Sequence, residues 1–512
     1  MRIFLLLLVW LVGGNTVFGA GANAPNVRRT SSFFFKGPEV KLGIVPVIKL
    51  EHDIAATPAE AAQIKQHIAN LRKIDHPDFG LSSTMIGNAF APVASSAHFD
   101  GGILTDHRIK TSDDVRALVA FGPKALPFLL AALDDKTSIK LSIGKDNSIF
   151  TVMYFSNELD GNPTNSVEQK ATASLPKRDW NGETMDSYTV KVGDVCFAII
   201  GEIVGRNYLA VRYQMTAIVI INSPVHDSEL AKQVRAIWSS TNAAQSLLNS
   251  LLLDYSTKII SGGNALNRWQ VGNGLQTGAA MRLLYYFPQE SAGMIAEQLA
   301  RLYDCENGDT NAVTQKSASD VSIEGFVKAV SWSDVPAVKN EILNIFKRTT
   351  DTDVLLAALP GVDSSNTNLI RARLEDFINR LPADEGGPYG EGYNLLVALG
   401  QKLDDSAKPI FVQYLQNAGL QRWRTMAKVL QQTQRQWAVE LLLPALTDKR
   451  EFGWDYALVP GQNEPRRPIR VCDEAAETIN LSRPDLKFVM AGEHADLDRQ
   501  IASMRDRIQQ GK

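Results

Sequence analysis

A chain of 512 residues, 45% hydrophobic and 21% charged, is too apolar to stay disordered and too mixed to form a fibre. Lys and Arg total 53 against 56 Asp and Glu. The formal charge of −3 therefore sets up no overall field that would draw in nucleic acid or an anionic membrane, and a charged partner must be met by a local patch. The length suits roughly three domains of about 150 residues, or one elongated repeat array.

Arg2 precedes an apolar run from Ile3 to Val12, and the small residues Gly19, Ala20, Gly21 and Ala22 follow. These are the three regions of a secretory signal peptide, with cleavage between Gly19 and Asn23. A retained anchor is the competing reading, because Ile3 to Ala22 approaches the minimum span of a bilayer. Gly13, Gly14, Asn15 and Thr16 interrupt the run and favour cleavage. Residues 1–22 are therefore read as a signal peptide. The mature chain is expected to be secreted, periplasmic or held in the cell envelope, with no transmembrane segment left. Cys196, Cys305 and Cys472 are too few for a disulfide framework and too widely spaced for a CxxC metal or redox site.

Residues 23–56 mix Pro, Gly, Ser and short apolar clusters without a period and read as an extended, loosely packed leader. Thr57, Pro58 and Glu60 then give a capping-box spacing, and Ala61, Ile64, Ile68 and Leu71 share one helical face. After a loop-like stretch from His76 to Thr111, Ser112 and Asp113 open a helix with Val115, Leu118 and Val119 on its apolar side, ended by Gly122. Leu126, Leu129, Leu130 and Leu133 mark a second helix, with Pro127 in its first turn. Comparable hairpins recur at 277–303 and 391–416, and Leu497, Ile501 and Met504 line a final helix.

Ala125 to Lys136 aligns without gaps to Ala438 to Lys449. Ala125, Leu129, Leu130, Ala132, Leu133, Asp135 and Lys136 find identical residues at Ala438, Leu442, Leu443, Ala445, Leu446, Asp448 and Lys449. Each copy then leads, through a loop of its own length, to a helix opening with Val195 and Cys196 or with Val471 and Cys472. One unit has been used twice.

These residues resemble the HEAT-like helical repeat family. Asp113, Val115, Arg116 and Gly122 fall at that family's first-helix positions, and Ala125, Leu126, Pro127, Leu129, Leu130, Leu133 and Asp135 at its second-helix positions. Ala398, Leu399 and Gly400 repeat its helix-ending triplet. Val119 stands where the family usually has Ala, and the units are unevenly spaced. The resemblance implies stacked helix pairs that share cores with their neighbours and serve as binding scaffolds. The expected fold is all-α dominated, an irregular HEAT-like α-solenoid of helical hairpins with a small β insertion. Helical repeats would occupy 57–136, a loop and β-hairpin insertion 137–192, and a repeat array 193–512. Ile149 to Phe155 and Ser187 to Val192 carry the strand signals, while Ala217 to Ile221 fits a strand or a buried helix.

Signals for chemistry are sparse. Cys196 and Cys472, each after a Val near a helix start, read as core filling. His98, Asp100, Asp106 and His107, near Asp75, His76 and Asp78, are metal-ligand types without a helical pair or a His-Glu dipeptide, so a polar loop is the better reading. Ser156, Glu158, Asp160 and Gly161 mimic half of a calcium loop, but Pro163 intrudes and Val167 stands at the twelfth place. Glycines at 386, 387, 390 and 392 lack the Lys-Ser/Thr pair of a phosphate loop. Arg422, Arg424, Lys428 and Arg435 interleave with Trp423 and Trp437; the tryptophans are assigned to core and the bases to a solvated face. No catalytic, cofactor-binding or metal-ligating residue is nominated, no cofactor is expected, and a nucleic-acid partner is set aside.

Residues 137–194 and 450–470 lie at one place in the repeat. Insertions at equivalent places project from one side of a helical stack, which suggests a recognition surface. The expected function is an exported, non-enzymatic scaffold that binds a protein or an extracellular polymer. The alternative is a carbohydrate-active enzyme on an α/α toroid, for which spacing alone selects no carboxylate pair.

Overall fold

The structure, a computed structural model, describes residues 39–75, 90–93, 112–144, 152–176, 184–214, 218–261, 273–307, 321–381, 391–416, 419–433, 437–454 and 468–510. The segment read as a signal peptide lies outside them. Helix α1 (Pro58–Asn70) starts as its sequence dictates: the Thr57 N–H donates to Glu60 Oε2 at 2.8 Å, and the Glu60 N–H donates to Thr57 Oγ1 at 3.3 Å. Its apolar face buries Ile64 and ends on buried Leu71. In α2 (Asp113–Phe121), Val115, Leu118 and Val119 are buried, and Ser112 holds the N-cap position without a hydroxyl cap bond. The chain then turns at Gly122, where φ is +54° and an added Cβ would lie 2.3 Å from the Tyr286 ring. Only glycine satisfies both the turn and the approach. Helix α3 (Leu126–Ala131) follows with Leu126, Leu129, Leu130 and Leu133 buried.

Beyond α4 (Ser166–Ser174) the helices run α5 (Val192–Val204), α6 (Ser228–Trp238), α7 (Ala243–Ser256), α8 (Asn273–Tyr286), α9 (Pro288–Asn307) and α10 (Ile323–Val330). Then come α11 (Pro336–Arg348), α12 (Thr352–Ala358), α13 (Thr367–Arg380), α14 (Glu391–Lys402) and α15 (Lys408–Leu415). The last are α16 (Leu420–Thr433), α17 (Trp437–Leu442), α18 (Val471–Ser482) and α19 (His494–Gln509). One row is continuous, each helix packing on the next in the order α5, α7, α8, α10, α12, α14, α16, α18. Against it, α9 packs on α8, α10 and α11, α11 on α12, α13 on α14, α15 on α16, and α17 on α18. The protein is an all-α dominated, irregular solenoid of helical hairpins whose apolar faces merge into one core. Helix α10 shows why: Ile323, Phe326, Val327 and Val330 are buried, while Glu324 and Lys328 face out. Among the described residues no single helix is long and apolar enough to cross a membrane.

The β structure is less self-contained than the sequence suggests. Strands β2 (Ser138–Gly144) and β4 (Ser187–Lys191) pair antiparallel, and Ile139, Leu141 and Ile143 alternate inward on β2. Strand β3 (Val152–Ser156), however, pairs in parallel with β6 (Ile218–Asn222), which in turn pairs antiparallel with β5 (Val211–Gln214). Within the run at 217–221, Ile218 to Ile221 are thus strand. Its β-branched side chains fit a buried pleated surface, and the sheet they form reaches past residue 192 into the region assigned to the repeat array. The described part of the leader is also held rather than loose. Strand β1 (Glu39–Leu42) pairs with β7 (Thr257–Ser261), and the Gln245 side chain brackets the next turn, accepting from the Leu50 N–H and donating to the Ile48 carbonyl, both at 2.9 Å.

Every residue of α5 is buried, so neither end of this helix can rely on water. At its C-terminal end Gly205 is left-handed (φ +73°), and the Arg206 guanidinium donates to the Gly205 carbonyl at 3.1 Å. Arg206 then bridges Glu168 of α4 (Nε to Oε2, 2.7 Å) and Asp254 of α7 (Nη1 to Oδ2, 2.5 Å), with all three side chains at most 2% exposed. Asn162 Nδ2 and Ser250 Oγ complete the cluster, at 2.6 Å from Asp254 and 3.1 Å from Arg206. Burial opposes the charge on Arg206, but Asp254 and Glu168 overcome it and hold the guanidinium charged well above its ordinary range.

Arg206→Met strands two buried carboxylates and is expected to destabilise the protein by about 3–5 kcal/mol. Adding Glu168→Gln and Asp254→Asn should recover much of that loss. Urea unfolding followed by the fluorescence of Trp238, whose ring lies 5.9 Å from the Arg206 guanidinium, measures both. A second expectation concerns acid. The Lys124 ammonium and the Thr57 N–H lower the Glu60 carboxyl from 4.5 to about 2. Its contribution is therefore present above pH 4.5 and fades as pH falls toward 2. Glu60→Gln should flatten that part of the melting-temperature profile.

Candidate functional site

The two copies of the internal repeat adopt one backbone design. After α3 and the 3-10 turn Ala132–Asp134, the Thr137 N–H donates to the Asp135 carboxylate at 2.8 Å and β2 begins at Ser138. After α17 and the 3-10 turn Pro444–Thr447, the Arg450 N–H donates to Asp448 at 3.0 Å and β8 (Glu451–Trp454) begins. The chain returns through β4, after β3 and α4, and through β9 (Pro468–Arg470), directly into α5 and α18, so that each antiparallel pair forms the root of a hairpin. The closing bonds match as well: Val192 N–H to the Thr137 carbonyl (2.9 Å) and Gly193 N–H to the Asp135 carbonyl (3.1 Å) correspond to Val471 to Arg450 (3.0 Å) and Cys472 to Asp448 (2.9 Å).

This geometry corrects the sequence alignment beyond the hairpins. Val192, Gly193 and Asp194 are the counterparts of Val471, Cys472 and Asp473, so Cys196 and Cys472 occupy different places, three residues apart in the repeat. The carboxylate in the first helical turn sets the register, because it must accept the N–H of the cap residue three positions earlier. Asp194 accepts from the Lys191 N–H at 2.9 Å, and Asp473 from the Arg470 N–H at 3.1 Å. Both thiols are buried, and burial pushes Cys472 up to about 12 and Cys196 higher still, which leaves neither as a ready nucleophile.

The two aspartates have different company. Asp194 is 1% exposed and accepts from the hydroxyls of Tyr188 and Ser223, both at 2.6 Å; burial raises its carboxyl against their pull. His226 gives Ser223 only its backbone N–H, at 3.1 Å, while its ring stacks on Phe155 with 3.6 Å between centroids. A Ser, a His and an Asp thus meet without the imidazole-to-hydroxyl contact that acyl transfer requires. Asp473, fully buried, takes a two-pronged bond from Arg470 (Nε 3.0 Å, Nη2 2.8 Å), and Asp498 binds the same guanidinium at 2.8 Å. The first hairpin is locked by hydroxyls, the second by a buried ion pair.

With their roots fixed, the hairpins present polar faces. Ser138, Lys140 and Ser142 alternate outward on β2, where Ser142 and Thr189 hydroxyls meet at 2.8 Å and Lys191 Nζ donates to Ser138 Oγ at 2.9 Å. Lys449, Arg450 and Glu451 are exposed at the second root. Beside the first root lies a cavity of about 280 Å³ lined by Pro127, Leu130, Ala131, Trp238, Ser240 and Ala243. Arg235 borders it, donating to the Leu130 carbonyl at 3.0 Å and to Asp134 at 2.6 Å.

Of the other residues weighed from sequence, His76, Asp78, His98, Asp100, Asp106, His107, Arg435 and the glycines at 386, 387 and 390 lie outside the described residues. Glu158 pairs with Arg212 at 2.5 Å and Asp160 accepts the Asn207 N–H at 2.9 Å, so both acids of the calcium-loop mimic are engaged in the protein. The basic residues of α16 are not a solvated face. Lys428 meets Glu474 at 3.3 Å and neighbouring Gln431 bonds Thr478 at 3.0 Å, because α16 packs on α18 along that side, while Arg422 lies 4.9 Å from the Tyr414 ring of α15. Among the described residues no group of three His, Cys, Asp or Glu side chains is gathered to hold a metal ion. No protein-family model, curated protein or solved structure matches the chain.

Exchanging the carboxylates separates the two locks. Asp473→Asn leaves the Arg470 charge buried with part of its partnership gone and is expected to cost about 3 kcal/mol. Asp194→Asn faces hydroxyls that can reorient and should cost about 1 kcal/mol. Urea titration of the two variants against the parent gives both figures.

Proposed function

We propose that this chain is an exported, non-enzymatic scaffold of the HEAT-like kind, and that its two hairpins grip a protein or an extracellular polymer. The observation that carries this reading is the repeated root: an Asx turn, a hairpin and an N-terminal carboxylate lock, used in two units separated by most of the helical row. Tolerated surface growth would need no such anchoring. A rigid root removes the ordering cost that a free loop would bring to binding. The outward residues at the first root are hydroxyls and lysines and those at the second are charged, which suits a polar, hydrogen-bonding partner surface. Export rests on the N-terminal pattern of Arg2, the Ile3–Val12 run and the small residues that follow.

The test compares the parent with Ser138→Glu/Lys140→Glu/Ser142→Glu, three exposed positions whose change leaves the core untouched. Affinity capture from native envelope extract with mass spectrometry should return one stoichiometric partner for the parent, with at least about tenfold less for the variant. Equal capture by both removes the hairpins from the interface. Glycan turnover by the purified chain overturns the scaffold reading altogether.

A further inference from the structure

Residues 90–93 themselves form neither helix nor strand, yet Phe90 is completely buried and Ala91 and Val93 nearly so. The Phe90 ring meets Tyr285 and Tyr286 edge-on, with centroids 5.3 and 5.7 Å away, and the Arg282 guanidinium lies 4.9 Å from its centre. The Ala91 N–H donates to Glu202 Oε1 at 2.5 Å. An aromatic side chain in a slot and a backbone N–H on a carboxylate are how a receptor reads a short peptide.

The slot is held by bonds that do not involve its occupant. Arg282 donates to the Glu202 carbonyl at 2.7 Å and to the Gly278 carbonyl at 3.0 Å. The Tyr286 hydroxyl donates to the Val119 carbonyl at 2.6 Å, and Tyr285 leans on Trp332 with 6.1 Å between centroids. Its walls come from α5 and α8, which flank α7 in the central row, and none of these bonds uses Phe90. We propose that Phe90–Val93 is an intramolecular ligand, docked in a receptor pocket that forms without it and that accepts the same motif presented in trans. This inference is independent of the hairpins: a chain whose hairpins bind nothing would still exchange its plug.

The probe is a fluorescein-labelled peptide spanning residues 87–96, titrated by anisotropy into the full chain. It should bind the Phe90→Ala protein, and the parent at least about tenfold more weakly, because the parent's pocket is already occupied. The same peptide with Ala in place of Phe90 should bind neither. Equal binding to both proteins, binding by the Phe-less peptide, or no binding to the Phe90→Ala protein overturns the proposal. Should Phe90→Ala fail to fold, hydrogen exchange on the parent decides. Exchange of the Ala91 amide ahead of the α5 and α8 amides supports a plug that leaves a standing pocket; exchange only together with them shows a core segment and refutes it.

Discussion

The structure is organised around a helix with no exposed face. Helix α5 is buried along its whole length, and a buried helix has four N–H groups at one end and four carbonyls at the other that solvent cannot satisfy. Asp194 answers at the first end and Gly205 with Arg206 at the second. Each answer imports a charge that needs partners in turn, so Tyr188 and Ser223 gather on Asp194, and Glu168 and Asp254 on Arg206. Glu202, in the last turn of the same helix, receives the Ala91 N–H. The hairpin root, the ion cluster and the plug are three consequences of one demand for satisfied polar groups.

The second unit meets the same demand more loosely. Helix α18 keeps an exposed Leu481 and ends without a left-handed glycine. Where Gly193 in the first unit would place an added Cβ 2.4 Å from the Leu133 carbonyl oxygen, the second unit carries the side chain of Cys472. The duplicated segment therefore fixes the path of the backbone but not the tightness of the packing around it. That difference accounts for two chemistries at one position: hydroxyl donors suffice inside the crowded first root, and a guanidinium fills the second.

Helical periodicity made the solenoid readable, because amphipathic stretches such as Leu126–Leu133 leave few alternatives and the turn residues Gly122 and Pro123 set them apart. Register beyond the hairpins was harder. A Val-Cys match drew the alignment three residues out of place, although Lys191-Val192-Gly193-Asp194 and Arg470-Val471-Cys472-Asp473 share a basic residue, a valine and an aspartate at fixed spacing. The capping carboxylate was the stronger signal. Partners far apart in the chain had no signal at all: Glu168, Arg206 and Asp254 are joined across separations of 38 and 48 residues, and nothing local marks them as a set. The candidate surface was visible as a place in the repeat, while the anchoring that makes it rigid was not. The bases of α16 were misassigned because periodicity reports one apolar face and cannot see a polar seam with the next helix.

The order of synthesis adds a last consequence. Leu50 waits for Gln245, 195 positions later, and Val119 waits for Tyr286, 167 positions later. At about 5–20 residues per second, the first of these gaps takes roughly 10–40 s to fill. Until then α1, α2 and α3 can pack on one another but lack their later partners. The earliest described segments are thus among the last to lock, which keeps the nascent polypeptide pliable while synthesis continues.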